Sequence, residues 1–158
     1  MSPCPEIVIA EGGIGDLDAV MRVMDDSFDP IFGEAWTASQ CAGLLPMPGV
    51  WLLLAKEGGA VAGFALARVV AREAELLLLA VKKESQGQGI GLKLVRHFAE
   101  TAVARGAGTL FLEVRDGNPA VRLYTAFGFN EIGRRPKYYT GRDGQIFDAL
   151  TLQKSVAP

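Results

Sequence analysis

A glycine-rich segment between two regular segments limits the fold of this chain more than any other feature. An apolar run at residues 75–81 precedes it, and a sequence with helical periodicity that ends at Gly106 follows it. The segment itself reads Ser85-Gln86-Gly87-Gln88-Gly89-Ile90-Gly91-Leu92. This order predicts a strand, a turn and a helix, which together direct several backbone N–H groups and the positive end of a helix dipole at one point. Either the turn binds a phosphate or pyrophosphate there, or its glycines only allow a tight turn.

The spacing of the glycines excludes two common phosphate-binding motifs. Counted from Gly87, the P-loop and the dinucleotide-binding fingerprint both require a glycine at position 92, where the chain has Leu92. The pattern that does fit is Gln/Arg-x-x-Gly-x-Gly/Ala, formed by Gln86, Gly89 and Gly91. An antiparallel meander is predicted before the turn, whereas a dinucleotide fold places its glycines after the first strand. The motif therefore indicates a phosphate loop of another type.

Length and composition narrow the possible functions. With 158 residues the chain is predicted to form a single domain over residues 1–158. Its formal net charge of −2 gives no general attraction for nucleic acid. Cys4 and Cys41 form no C-x-x-C pair, so we expect neither a disulfide framework nor a metal site. The first residues lack a signal-peptide pattern and the apolar runs are too short to span a bilayer, so a cytoplasmic protein without membrane contact is expected.

Hydrophobic periodicity predicts alternating strands and helices along the chain. Helices are expected from near Leu17 with Asp16 as cap, from Thr37 as cap to about Leu45, from the glycine turn to about Gly106, and from Asn118 through Phe127. Strands are expected at residues 7–9, 50–55, 61–70, 75–81, 109–114, 129–134 and 146–152. Residues 109–114 follow a strand and a helix, so they should pair in parallel with residues 75–81 through a right-handed crossover. The predicted fold class is α/β, with a mixed, mostly antiparallel sheet of six or seven strands.

A second group of residues, after the glycine turn, gives the pattern a family likeness. The group comprises Leu112-Glu113-Val114-Arg115, Asn118, Ala120, Leu123-Tyr124 and Phe127-Gly128-Phe129. Together with Gln86, Gly89 and Gly91, it resembles the two signature blocks of the GNAT superfamily of N-acetyltransferases. Residues 134–139, Asp143-Gly144 and Asp148-Ala149-Leu150 are similar to bacterial members that acetylate the N-terminal alanine of a ribosomal protein. The likeness covers roughly residues 60–152.

The resemblance implies a fold, a donor and a set of binding residues. The fold would be GNAT-like, with helices on both faces of the sheet and two parallel central strands that splay apart to admit the pantetheine arm of acetyl-CoA. The residues that would bind acetyl-CoA are Leu79, Ala80, Val81, Gln86, Gly87, Gln88, Gly89, Ile90, Gly91, Lys93, Asn118 and Tyr124. The residues that would bind the acceptor are Trp36, Tyr138 and Tyr139, the tyrosines being expected in the loop between the last two strands. No metal is implied.

Acetyl transfer from a thioester to an amine needs a base and benefits from an acid. Glu113, near the end of its strand, is the candidate base, because partial burial would raise its pKa toward a useful value. The alternative for Glu113 is a structural ion pair with Arg115 or Arg135. Tyr124 is the acid in the resemblance, and its alternative is an amphipathic aromatic residue at the boundary between helix and sheet. Asn118 is both a candidate ligand of the pantetheine arm and a good helix cap.

These observations favour an acetyl-CoA-dependent N-acetyltransferase that acts by direct transfer, without a covalent enzyme intermediate. The first expectation for the acceptor is a protein or peptide N-terminus, with alanine as its first residue. At pH 7 an α-amine with a pKa of about 8 is roughly a tenth neutral, whereas a lysine side chain is neutral only about 0.04% of the time. The alternatives are a small-molecule amine acceptor and a non-catalytic module that binds CoA. An exposed hairpin pair, unrelated to substrate, is the alternative for Tyr138 and Tyr139.

Overall fold

The computed structural model describes residues 6–156, and one sheet of seven strands runs through this part of the chain. The strands are β1 (Ile7–Gly12), β2 (Val50–Glu57), β3 (Ala60–Val70), β4 (Glu73–Val81), β5 (Thr109–Arg115), β6 (Asn130–Thr140) and β7 (Ile146–Ser155). Their order in the sheet is β1-β2-β3-β4-β5-β7-β6. Every neighbouring pair is antiparallel except β4 and β5, which are parallel. The predicted fold class and the predicted parallel pair are confirmed.

Four α-helices in the described residues cover both faces of this sheet. They are α1 (Leu17–Ser27), α2 (Ala38–Leu44), α3 (Ile90–Ala104) and α4 (Ala120–Phe127). Alternate residues of β2 separate the two cores: Leu52 packs with the buried side chains of α1 and α2, and Leu53 packs with those of α3 and α4. The helices are held by apolar stripes at helical spacing, such as Val20, Val23 and Met24 in α1.

The parallel pair β4 and β5 opens partway along its length. The two strands pair from Glu73 opposite Thr109 to Leu76 opposite Leu112. Beyond that point β4 continues to Val81 and β5 to Arg115 without pairing to each other. The ladder between β3 and β4 shifts register at the same level, which turns β4 away from β5. The splayed central strands implied by the resemblance are therefore present.

Of the caps predicted for α1 and α2, one is confirmed and the other is wrong. Thr37 caps α2: its Oγ1 accepts the N–H of Gln40 at 3.1 Å, and Gln40 Oε1 accepts the N–H of Thr37 at 2.7 Å. Asp16 stands directly before α1, but its carboxylate accepts the N–H of Gly13 at 2.9 Å and not one from the helix. A 3-10 turn at Ile14–Asp16 precedes α1 and directs the Asp16 side chain back toward Gly13.

The predicted position of Tyr138 and Tyr139 is also wrong. Both lie within β6, which extends to Thr140, and the turn that follows is closed by a hydrogen bond from Gly141 N to Gln145 O at 2.8 Å. Pro136 lies where the ladder of β6 is interrupted, but β6 is an edge strand, where proline is tolerated, and a bulge there allows the ladder to resume at Tyr139. Within residues 6–156 no helix is long and apolar enough to cross a membrane. Cys4 lies outside the described residues.

Candidate active site

A cavity of about 770 Å³ occupies the gap where β4 and β5 separate. Fourteen of the residues predicted for the site line this main cavity. They are Trp36, Leu79, Ala80, Val81, Gln86, Gly87, Gly89, Ile90, Gly91, Glu113, Asn118, Tyr124, Tyr138 and Tyr139. Gln88 and Lys93 are exposed and do not line it, so the cavity gives no support to their predicted contacts with acetyl-CoA. The residues of both signature blocks therefore meet around one space.

The glycine turn presents free backbone N–H groups at one end of the main cavity. Gly89, with φ +80°, is the residue before α3, and the N–H groups of Ile90, Gly91 and Leu92 form the first turn, ahead of the first helical hydrogen bond from Lys93 N to Gly89 O. A side chain built at Gly87 or Gly89 would meet no atom within 4 Å, so the turn is open on that side. An anionic group can thus approach the helix N-terminus directly, as a pyrophosphate would.

Two other residues of this segment contribute to its shape. Gln86 donates a hydrogen bond from Nε2 to the carbonyl oxygen of Val81 at 3.1 Å and so ties the turn to the end of β4. A Cβ at Gly91 would lie 3.1 Å from Cδ2 of Leu123, which means that α3 and α4 approach closely there. The glycine at position 91 therefore has a packing role between these helices as well as a place in the cavity wall.

Glu113 projects from β5 with an unusual environment for a carboxylate. Its side chain is 15% exposed, and Oε2 is buried without a hydrogen-bond partner among the described residues. The nearest cation is Arg135, whose Nε lies 3.3 Å from Oε2 and whose side chain is 62% exposed. Burial raises the pKa of Glu113, Arg135 opposes this, and the negative charge of Glu75 adds to it. The ion pair with Arg135 considered for Glu113 is thus present, but it does not satisfy the carboxylate.

Tyr124 lies on α4 with its ring in the hydrophobic core and only 6% of the residue exposed. Its ring packs edge-on against Phe129, with 6.1 Å between centroids. Burial, and then the negative charge of Glu34, raises the pKa of Tyr124 well above its ordinary value. The phenol is therefore fully protonated near pH 7, which suits a proton donor and not a base.

A buried ion pair, which sequence reasoning missed, connects the segment before α2 with the end of β5. Arg115 Nε donates to Glu34 Oε1 at 3.1 Å, and the two side chains are 8% and 10% exposed. The Arg115 guanidinium also lies over the ring of Phe32, 3.7 Å from its centroid. Asn118 Nδ2 donates to Glu34 Oε2 at 2.7 Å, and Asn118 Oδ1 accepts the N–H of Ala120, the first residue of α4, at 2.8 Å, although Pro119 is the residue directly before the helix. Glu34 and Arg115 both line the main cavity.

The three residues predicted to bind the acceptor all line the main cavity. Tyr138 and Tyr139 both line the main cavity, with ring centroids 4.8 Å apart in an edge-on arrangement. Burial raises the pKa of both phenols. Trp36 packs against the core formed by α1 and α2 and borders the cavity from that side.

A second, smaller cavity of about 310 Å³ shares Glu75, Leu112 and Glu113 with the main cavity. It continues along β4 and β5 past Glu73, and Arg135 also borders it. The two cavities are therefore adjacent, with Glu75, Leu112 and Glu113 between them.

Comparison with known proteins places this site in a family. The sequence model of the acetyltransferase (GNAT) family matches residues 17–129. The chain belongs to the GNAT family. The match covers both signature blocks from which the family was predicted, and the prediction is confirmed.

Individual GNAT relatives agree with this assignment. The chain is 42% identical over 97 residues to the ribosomal protein bS18-alanine N-acetyltransferase of Escherichia coli K12, a match that covers 61% of this chain and 65% of the relative. It is 35% identical over 135 residues to a putative enzyme of the same name from Bacillus subtilis, covering 83% and 87%. The crystal structure of the ribosomal-protein-S18-alanine N-acetyltransferase from Escherichia coli superposes with a TM-score of 0.86 at 30% identity, covering 97% of this chain and 96% of that one.

Proposed function

We propose that this GNAT chain transfers the acetyl group of acetyl-CoA to the α-amine of a protein N-terminus. The observation that carries the proposal is the pairing of Glu113 and Tyr124 on one cavity, beside an open helix N-terminus. One of these groups is a carboxylate with an unsatisfied buried oxygen, and the other is a buried phenol that stays protonated. A non-catalytic CoA-binding module would have no need of either group.

The donor-binding part of the proposal rests on the shape of the glycine turn. Acetyl-CoA supplies an activated acetyl thioester and carries a pyrophosphate. The N–H groups at the start of α3 would hold the pyrophosphate, and the open positions at Gly87 and Gly89 let it approach. The unpaired segment of β4, residues 77–81, offers free backbone groups along the main cavity for the amide-bearing pantetheine arm.

In the proposed reaction Glu113 takes a proton and Tyr124 gives one. The amine must be neutral to attack, and Glu113, whose pKa is raised by burial, accepts its proton either directly or through water. The departing sulfur belongs to a thiol with a pKa near 8.5. As the N–C bond forms and the C–S bond breaks, Tyr124 donates a proton toward the sulfur. The phenol then regains a proton from solvent while Glu113 releases the one it took from the amine, because the low-dielectric core around the ring disfavours a lasting phenolate.

The choice of a peptide N-terminus as acceptor has three supports. The second cavity leaves room along β4 and β5 for residues that follow the reacting amine, which a small amine would not need. The rings of Tyr138 and Tyr139 line the main cavity together with Glu113, and bulky rings beside the reacting amine would favour a small first residue such as alanine. The Escherichia coli relatives named above are alanine N-acetyltransferases of a ribosomal protein. A small-molecule amine remains the second candidate, because tyrosine rings in a cavity suit many amines.

The proposal is tested by mass spectrometry of three acceptor classes presented together with acetyl-CoA. The classes are peptides that begin with alanine, the same peptides with a blocked N-terminus and a free lysine, and a panel of small amines. We expect an added acetyl group on the α-amine of the first class. Acetylation mainly of the blocked peptides or of a small amine would overturn the choice of acceptor. Binding of acetyl-CoA by calorimetry without turnover on any amine would overturn the enzymatic assignment.

A further inference from the structure

The bulge in β6 is an unusually large departure from a regular ladder. Arg135 pairs with Ala149 and Tyr139 pairs with Phe147, so three residues of β6 (136–138) stand opposite the single residue Asp148. Lys137, within the bulge, has φ +57°, a conformation that costs a residue with a side chain about 1 kcal/mol or more. Such a backbone persists only where other interactions hold it.

The bulge determines where the two tyrosines point. Successive side chains of a regular strand alternate between the faces of the sheet, which would place Tyr138 and Tyr139 on opposite sides. In this structure both line the main cavity, with 4.8 Å between their ring centroids. The irregular backbone at 136–138 is therefore what brings both rings to the same wall.

Asp148 makes the interactions that hold this backbone. Its Oδ1 accepts a hydrogen bond from the N–H of Lys137 at 3.0 Å, and its Oδ2 accepts one from Nη1 of Arg134 at 3.0 Å. The same Arg134 nitrogen donates to Asp116 Oδ2 at 2.7 Å, and Asp116 N donates to the carbonyl oxygen of Asp148 at 3.0 Å. The bulge is thus fastened to the loop after β5 that leads to Asn118. Hydrogen bonds from Lys137 N and Arg134 hold the pKa of Asp148 below its usual range, so it is ionised near pH 7.

We propose that Asp148 is a positioning residue for the acceptor site: it fixes the β6 bulge and thereby sets both tyrosine rings against the acceptor. This inference rests on the proposed function, because it assigns the tyrosine wall to the acceptor. Asp148 is absent from the lining of both cavities, so it acts through the bulge and not by contact with either substrate.

The first test separates the two substrates kinetically. Asp148→Ala removes both side-chain acceptors, and we expect KM for an alanine-start peptide to rise about tenfold, the effect of losing one good charge-assisted hydrogen bond. KM for acetyl-CoA should stay within about twofold. Asp148→Asn keeps an oxygen that can accept the hydrogen bond from Lys137 N, so its KM for the peptide should rise much less. Asp143→Ala is the matched control, because Asp143 accepts the N–H of Gln145 at 3.0 Å in the same hairpin but outside the bulge, and its kinetics should be unchanged.

Rescue by glycine tests whether the backbone of the bulge is the link. Glycine adopts positive φ without the Cβ penalty. Adding Lys137→Gly to Asp148→Ala should therefore lower KM for the peptide most of the way back to the parent value. An unchanged peptide KM in Asp148→Ala would overturn the proposal. It would also be overturned if the glycine variant restored nothing while Asp148→Asn was as impaired as Asp148→Ala, since Asp148 would then act by charge alone.

Hydrogen exchange provides a measurement that does not depend on turnover. In the protein without substrate, the amide of Lys137 should exchange markedly faster in Asp148→Ala than in the parent protein, while amides of β2 and β3 keep their protection. Unchanged protection of the Lys137 amide would refute the proposal that Asp148 fixes the bulge. A parent protein that acetylates no amine would refute the proposed function instead, and the exchange experiment would still decide whether Asp148 holds the bulge.

Discussion

Replacing Glu113 with glutamine separates the proposed catalytic role of this carboxylate from its cost to the folded state. The change keeps the shape of the side chain and removes its charge and its ability to accept a proton. Loss of a positioned base should lower kcat about 10²-fold or more. Because Oε2 is buried without a hydrogen bond, we expect the same change to raise the free energy of unfolding.

The size of the stability gain follows from two opposing contributions. An unsatisfied buried polar atom costs about 1–3 kcal/mol. The ion pair with Arg135 offsets only about 0.2–1 kcal/mol of this cost, because the arginine side chain is 62% exposed. Glutamine leaves one amide atom unsatisfied as well, so the expected net gain at pH 7–8 is about 1 kcal/mol. For a domain of this size that corresponds to a rise in Tm of about 2–4 °C.

The pH dependence has a definite sign. Burial raises the pKa of Glu113 in the folded protein, so the folded state binds the proton more tightly than the unfolded chain does. The parent protein therefore loses stability as pH rises through the raised pKa, and the glutamine variant does not. The stability gap should be widest above that pKa and should narrow as pH falls. Likewise kcat/KM of the parent should fall as pH drops through the same pKa, a limb that the variant lacks.

Thermal unfolding from pH 4 to 8 and steady-state kinetics on the true acceptor measure both effects. Glu100→Gln is a suitable control, because Glu100 is exposed on α3 and should change neither quantity. A variant with the kcat of the parent would refute the role of Glu113 as base. A variant less stable than the parent at pH 7 would refute the reasoning that the carboxylate is poorly solvated in the folded state.

Three further predictions concern the donor site, the proposed acid and the buried ion pair. Gly89→Glu places a negative charge where the pyrophosphate should lie and should weaken acetyl-CoA binding in calorimetry about tenfold or more, whereas Gly59→Glu, at an equally open glycine with similar positive φ, should not; equal effects would refute the site. Tyr124→Phe keeps the ring packing and should lower kcat about tenfold or more while acetyl-CoA affinity stays within about twofold, and an unchanged kcat would contradict its role. Arg115→Ala leaves a buried carboxylate unpaired and should lower the free energy of unfolding in urea by about 3–5 kcal/mol, against less than about 1 kcal/mol for Arg68→Ala at a half-exposed pair. A loss at Arg115 no larger than the loss at Arg68 would show that its pair is effectively solvated.

The parts of the fold that are predicted correctly are those that local sequence patterns determine. The strand, glycine turn and helix at residues 75–106 follow from apolar runs and glycine spacing, and the parallel pairing of β4 with β5 follows from chain order. Thr37 followed three residues later by Gln40 is a local capping signature, and the cap formed as expected. Asp16 is also a residue type preferred at helix N-termini, but in the 3-10 turn before α1 its carboxylate accepts the N–H of Gly13 instead of one from the helix. No local sequence pattern indicates that turn.

The parts that could not be predicted depend on contacts between distant residues. Glu34 and Arg115 are 81 residues apart, and no spacing rule in one sequence joins them. The sequence offers Arg115 only as a partner for Glu113, two residues earlier on β5, whereas the structure pairs it with the distant Glu34. The resemblance predicts Tyr138 and Tyr139 as acceptor-site residues and the sequence pattern places them in a loop, whereas both lie in β6. The ladder of β6 is interrupted at Pro136, and the sequence does not reveal that a bulge bonded to Asp148 lets the strand continue beyond it.

Two irregular ladders, one on each side of the gap, make the main cavity. In β4, Ala74 and Leu76 pack with α3, whereas Leu78 and Ala80 pack with α1, so the strand exchanges faces at Leu77. Four leucines in succession at 76–79 fit either face equally well, which is why periodicity does not locate the change. In β6 the bulge at 136–138 likewise interrupts the alternation of side chains, and it brings both tyrosine rings to the main cavity. A sheet with unbroken ladders would keep β4 paired to β5 over the cavity and would turn one of the two rings away, so the proposed chemistry depends on both irregularities.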